Sequence, residues 1–309
     1  MKSFAAFILA LVACGSVGMA QLTAPATRPA TLPGSAGPID VYLIGGQSNA
    51  TGQGYLANLP PGIEPDQRVL LFHSGRPHLN SGAPPNTWIP LRQASESPDR
   101  FGPELGFGNR MQQLQPNRKI AIIKHAHSGT NLHTQWNPGT DVAALPNNSQ
   151  YRIFVETVDA GLKGLVEQGY TPTIRGMLWQ QGENDRDGDA AASYGKNLAN
   201  LIEHVRKQFN APDMLFVYGY VLPPPNTGEG RDLVRKGEHD VDQDSGSPIA
   251  VKGAFVVETD DLDHRAADPN TRYPNDHLHF GTKGTYELGL RMAEKMNAKL
   301  PAATPQRAG

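Results

Sequence analysis

From residue 39 onward the chain alternates short apolar runs with longer segments whose apolar positions recur every three to four residues. Ile39, Val41, Tyr42, Leu43 and Ile44 form a nearly continuous apolar run that stops at Gly45-Gly46. This is the pattern of a strand buried on both faces of a parallel sheet. Lys119 to Lys124 and Ile174 to Trp179 repeat it, and Met214 to Val221 and Ala254 to Val257 predict two more strands. Helical spacing predicts a helix over Phe101 to Leu114, with Leu105, Met111 and Leu114 inward. A second is predicted over Tyr151 to Gln168, with Ile153, Val155, Val158, Leu162, Leu165 and Val166 inward and Gly169 as C-cap. Two more are predicted over Tyr194 to Phe209 and Thr285 to Leu300. Crossovers this long suit parallel pairing, so the expected class is α/β, a three-layer α/β/α sandwich around a central, mostly parallel sheet.

Two stretches interrupt the alternation. Residues 51–99 read as a long loop with Pro60-Pro61-Gly62 and Pro84-Pro85-Asn86, holding one apolar run, Val69 to Phe72, suited to an extra strand. Within 223–250, Arg231 to Val241 has helical spacing but a thin apolar face. Ahead of the domain, Met1-Lys2-Ser3 followed by Phe4 to Ala13 reads as an export signal over 1–20, too short to span a bilayer as a mature helix. Gly18-Met19-Ala20 offers a signal-peptidase site, whereas Leu11-Val12-Ala13-Cys14 resembles a bacterial lipobox, in which Cys14 would carry a lipid anchor. A linker rich in Pro, Thr, Ala and Gly is expected over 21–38, one globular domain over 39–300 and a disordered tail over 301–309.

Charge and cysteine content narrow the functional classes. Formal net charge is −2 with no basic stripe, which indicates neither nucleic acid nor an anionic membrane surface as partner. Cys14 is the only cysteine, so the domain has neither an internal disulfide nor a thiol nucleophile.

Polar, glycine-bearing turns follow the first three strands: Gly45 to Ala50, His125 to Leu132 and Gln180 to Asp185. A fourth, Asp276 to Gly281, precedes the last helix. Open α/β sheets place ligands at that carboxyl edge. Together the turns offer Ser48, backbone amides near Gly129, the Gln181 carboxamide, and an acid and imidazole at Asp276 and His279. Those are the parts of acyl transfer by an activated serine. Other readings stay open on pattern alone. Asp276 could merely cap a turn, and His277 could be the base. Trp179 could be core or a sugar platform. His125 and His127 on one face of a continued strand could join His133 as metal ligands of a metal-dependent hydrolase. A non-catalytic carbohydrate-binding surface protein would keep the fold and the tether but have no need of the serine, amide, acid and imidazole together. Gly52-x-Gly54-x-x-Ala57 fits a relaxed dinucleotide fingerprint, but no helix pattern follows it.

The ordered blocks GGQSNA, Ser128-Gly129-Thr130, WQQGEND and DHLHF resemble those of the SGNH hydrolase superfamily. More narrowly they resemble its sialate O-acetylesterase-like branch, which includes the acetylxylan esterases of carbohydrate esterase family 6. The resemblance implies a flavodoxin-like sandwich and an exported serine esterase that removes O-acetyl groups from carbohydrates without a cofactor. It implies Ser48 as nucleophile, Asp276 and His279 as acid and base, and Ser48, Gly129 and Gln181 around the oxyanion. Ser128 stands where the family's second block usually has glycine. Gln47, Asn49, Glu183 and Asp185 are expected to support these loops.

Overall fold

β1 (Gly37–Gly46) lies at the centre of a seven-stranded sheet, flanked on one side by the strand Ile120–Lys124 and on the other by the strand Tyr170–Gln180. The computed structural model describes residues 37–76 and 83–301. The expected export signal with Cys14, the linker up to residue 36 and the tail after residue 301 lie outside the described residues.

In chain order the elements are β1, the four-residue helix α1 (Ser48–Thr51), β2 (Gly54–Tyr55), β3 (Leu70–His73), β4 (Ile89–Pro90) and β5 (Arg100–Phe101). Then follow α2 (Pro103–Leu114), β6 (Ile120–Lys124), α3 (Gln150–Glu167), β7 (Tyr170–Gln180) and α4 (Gly188–Gln208). The chain closes with β8 (Leu215–Gly219), α5 (Glu229–Val241), β9 (Ala254–Val257) and α6 (Thr282–Lys299). The sheet order is β4-β3-β6-β1-β7-β8-β9, parallel throughout except for β4. Without the β3–β4 pair, the remaining strands run in the flavodoxin-like order, which reverses at β1 and opens a crevice at the carboxyl ends of β6, β1 and β7. The long loop supplies β3 and β4 as an added flank, and β2 pairs with β5 outside the main sheet.

Alternate residues of β1 feed two cores, as the two-residue period of a strand requires. Ile39, Val41 and Leu43 pack with side chains of α3, α4 and α5, while Tyr42 and Ile44 pack with those of α2 and α6. The result is the three-layer sandwich.

Several boundaries differ from expectation for identifiable reasons. α2 starts at Pro103, where a proline fits the first helical turn, and Phe101 belongs to β5. Val166 of α3 is 59% exposed, in the last turn before Gly169, which turns the chain with φ of 83°. α4 begins six residues before Tyr194, on small alanines that give little apolar signal. α5 is a full helix despite its thin apolar face, because Gly237 lies directly on Gly195 of α4. A Cβ on Gly237 would sit 2.6 Å from the Gly195 nitrogen. Trp179 is core: it meets Trp136 edge-on at 5.0 Å between ring centroids.

Candidate active site

The turn after β1 is built around a glycine no other residue can replace. Gly46 has φ of +133°, and a Cβ there would lie 2.2 Å from the Gln180 carbonyl oxygen at the end of β7. That close approach lets the Gln47 N–H donate to the Gln180 carbonyl at 3.0 Å and sets Ser48 at the start of α1. At that position the Ser48 N–H has no intrahelical acceptor. Behind the turn, the buried Lys124 ammonium donates to the Thr51 carbonyl at 2.8 Å and to Glu104 at 2.6 Å, fixing the far end of α1.

Ser48, His279 and Asp276 meet in one line. Ser48 Oγ is 3.0 Å from His279 Nε2, and His279 Nδ1 is 2.9 Å from Asp276 Oδ2. With Nδ1–H donated to the carboxylate, Nε2 is left as the acceptor facing the serine. The acid and base share one turn, since Asp276 Oδ1 also accepts the N–H groups of Leu278 and His279, each at 3.1 Å. Burial pushes the Asp276 carboxyl up, but the hydrogen bond and charge of His279 and these two N–H groups outweigh it and hold it down at about 2. His277 faces away, its ring against His264 at 5.7 Å between centroids, and its carbonyl accepts from Asn226.

Asn49 clips the two halves of the site together. Its Oδ1 accepts from the Phe280 N–H at 3.0 Å and its Nδ2 donates to the Leu278 carbonyl at 3.2 Å, gripping the residues on either side of His279. The same Nδ2 donates to Glu183 Oε1 at 2.6 Å. Burial pushes the Glu183 carboxyl up, against the smaller opposing pull of its hydrogen bonds.

The turns after β6 and β7 lock to each other beside Ser48. Gly129 has φ of +71°, and among the described residues its N–H finds no acceptor. Gln181 differs from expectation. Its Nε2 lies 3.0 Å from Gln47 Oε1, 3.1 Å from the Thr130 carbonyl and 2.6 Å from Asp185 Oδ2, so its two hydrogens are already taken. The cause is Asp185, a buried carboxylate that captures Gln181 along with the N–H groups of Leu132 and His133. Burial raises the Asp185 carboxyl, and these hydrogen bonds partly offset it.

Two residues escaped the sequence reading. The exposed Asn184 donates its N–H to Gln47 Oε1 at 3.3 Å and its Nδ2 to the Gly129 carbonyl at 2.5 Å, leaving one amide hydrogen over. No spacing signal in the sequence separates it from its neighbours in the same polar turn. Arg265 touches Asp276 Oδ2 at 3.2 Å, and no local motif marked it.

The three histidines weighed as metal ligands do not converge. His125 is buried, with Nδ1 2.8 Å from Ser74 Oγ and Nε2 3.1 Å from Gln150 Oε1, and burial pushes it down to about 3. His133 stands exposed near Ser193. Among the described residues no group of three or more His, Cys, Asp or Glu side chains is placed to hold a metal ion.

Comparison with known proteins bears on the family and the fold. The model of the family described as carbohydrate esterase, sialic acid-specific acetylesterase, matches residues 38–298. A probable carbohydrate esterase of Arabidopsis thaliana is 22% identical over 271 residues, covering 83% of this chain and 90% of that protein. Among solved structures, an Arabidopsis thaliana protein superposes with a TM-score of 0.63 at 21% identity, over 85% of this chain and all of that one. The NanS structure gives 0.62 at 16% identity, over 85% and 97%. XAC1771, a carbohydrate acetylesterase of Xanthomonas citri, gives 0.54 at 17% identity, over 82% and 54%.

Proposed function

Since the chain belongs to the carbohydrate esterase, sialic acid-specific acetylesterase family, we propose that it removes O-acetyl groups from carbohydrates by a Ser48–His279–Asp276 relay. The observation that carries this reading is the unbroken line of hydrogen bonds from Ser48 Oγ through His279 to Asp276. As Ser48 Oγ attacks the acetyl carbonyl carbon, His279 Nε2 takes its proton, and Asp276 stabilises the imidazolium that forms. The tetrahedral intermediate collapses when His279 returns the proton to the departing sugar oxygen, leaving an acetyl group on Ser48. Water, deprotonated by His279, then releases acetate and restores the serine.

The oxyanion needs donors fixed in advance. Among the described residues the N–H groups of Ser48 and Gly129 have no competing acceptor, and we assign the third donor to the Asn184 carboxamide rather than to Gln181. Gln181 holds the Thr130 carbonyl and Gln47, and so aims the Gly129 turn. The relay needs no metal or organic cofactor.

An export signal within residues 1–20 is part of the same proposal, cleaved either at Gly18-Met19-Ala20 or ahead of Cys14, which would then carry a lipid anchor, with the residues before β1 as tether. Among the described residues no helix is long and apolar enough to cross a membrane. Acetylated xylan and O-acetylated sialic acids are the two substrate types to compare. Ser48→Ala should cut hydrolysis of 4-nitrophenyl acetate by at least about a thousandfold while far-UV circular dichroism is unchanged. Full activity in that variant sinks the mechanism.

A further inference from the structure

Arg265 is a buried arginine joined to the acid–base turn by both backbone and side chain. Its own N–H donates to the His279 carbonyl at 2.8 Å, and the N–H of Ala266 donates to the Asp276 carbonyl at 3.0 Å. Its Nη1 lies 3.2 Å from Asp276 Oδ2, the oxygen that also accepts the His279 Nδ1–H. Its Nη2 donates to the Tyr55 hydroxyl at 3.0 Å. The guanidinium carbon lies over the Tyr273 ring, 3.7 Å from its centroid, with the Tyr55 ring centroid 5.5 Å away. Its side chain is 5% exposed, so bulk water does little to screen the charge.

We propose that Arg265 is the positioning residue of the His279–Asp276 pair and sets the pH at which that pair can accept the serine proton. A carboxylate shared between an arginine and an imidazole gives each partner less than its full negative charge. The arginine therefore fixes the Asp276 carboxylate in plane and at the same time makes protonation of the pair less favourable. The aromatic rings keep the guanidinium in place while contributing no charge of their own. Other charged groups facing the pair are Glu183 from the turn after β7, Asp268 behind Arg265, and His264, His277 and Asp263 nearby. Among the described residues Arg265 is the only permanently charged cation that contacts the pair directly.

The test is the pH dependence of kcat/KM for 4-nitrophenyl acetate in Arg265→Met and Arg265→Lys. Losing the positive charge favours the protonated pair, so the acidic limb of Arg265→Met should move to higher pH by about one unit, while Arg265→Lys stays within a few tenths of the parent. An acidic limb that does not move, or moves to lower pH, overturns the proposal. Where turnover is too slow for a profile, nuclear magnetic resonance titration of the His279 imidazole in Arg265→Gln must show the same upward shift. Loss of the fold in both charge-removing variants also overturns it, since the side chain would then be only a structural post. The inference rests on the serine-esterase reading, and Ser48→Ala in the same assay separates the two. Activity there defeats that reading itself, whereas an inactive Ser48→Ala beside an unmoved limb defeats only the role of Arg265.

Discussion

At the scale of single residues, the carboxamides in the turn after β7 divide the work, and their variants should part accordingly. Asn184→Ala should lower kcat by roughly a hundredfold to a thousandfold with KM little changed, the signature of a donor used only in the transition state. Gln181→Ala removes the tie from Gln47 to Thr130 and Asp185. It should lower thermal stability as well as rate, because it leaves the buried Asp185 oxygen short of a partner. Melting curves beside steady-state kinetics tell the two apart, and a larger kcat loss in Gln181→Ala without loss of stability would return the oxyanion role to Gln181. Asp276 carries a stability prediction of its own. Its folded value of about 2 lies below the ordinary carboxylate value of 3.8, so its contribution is present above about pH 4 and lost as pH falls towards 2. Asp276→Asn should therefore be less stable than the parent by on the order of 2 kcal/mol at neutral pH, with urea-unfolding curves of the two converging near pH 2.

At the scale of elements, what could be read along the chain was what is local or strictly periodic. The strands around β1 announced themselves as apolar runs, and Asp276 with His279 could be paired because three residues of spacing put both on one turn. α5 was obscure because its contact with α4 is made by Gly237 on Gly195, which adds no hydrophobicity to either helix. β2 and β5 were obscure because each is two residues long. The choice between Gln181 and Asn184 depends on Gly182, whose φ of +151° swings the chain between them, and on the capture of Gln181 by Asp185. Neither is visible as spacing. Arg265 escaped because its contact with Asp276, 11 positions on, is made by a loop that follows no helix or strand period. α5 also carries a buried carboxyl, Glu238, which accepts the Val221 N–H at 3.2 Å and is raised well above the ordinary range, chiefly by burial. A raised carboxyl costs stability where it must be charged and gives it back as pH falls through its folded value. Glu238→Gln should accordingly be more stable than the parent at pH 8, with the gap closing towards pH 5. Melting temperatures that track each other across that range would refute this.

At the scale of the whole molecule, the site lies at the carboxyl edge of the sheet, whereas β1 enters the sheet at Gly37, at its opposite edge. If Cys14 is lipidated, the tether reaches the domain at Gly37, at the start of β1. Cys14→Ser should then move the enzyme from the membrane fraction to the soluble fraction with kcat/KM on a small ester unchanged. Equal partition of the two proteins would count against the anchor.

Ser48 and His279 lie 231 positions apart in the sequence, the first just after the opening strand and the second just before the closing helix. Asn49 can grip the segment around His279 only once α6 has docked beside α2. Contacts between such distant parts of a chain form late, after loop closure has been overcome. Refolding from urea should therefore restore helical ellipticity first and esterase turnover afterwards, so that catalysis serves as a built-in clock for the last step of assembly.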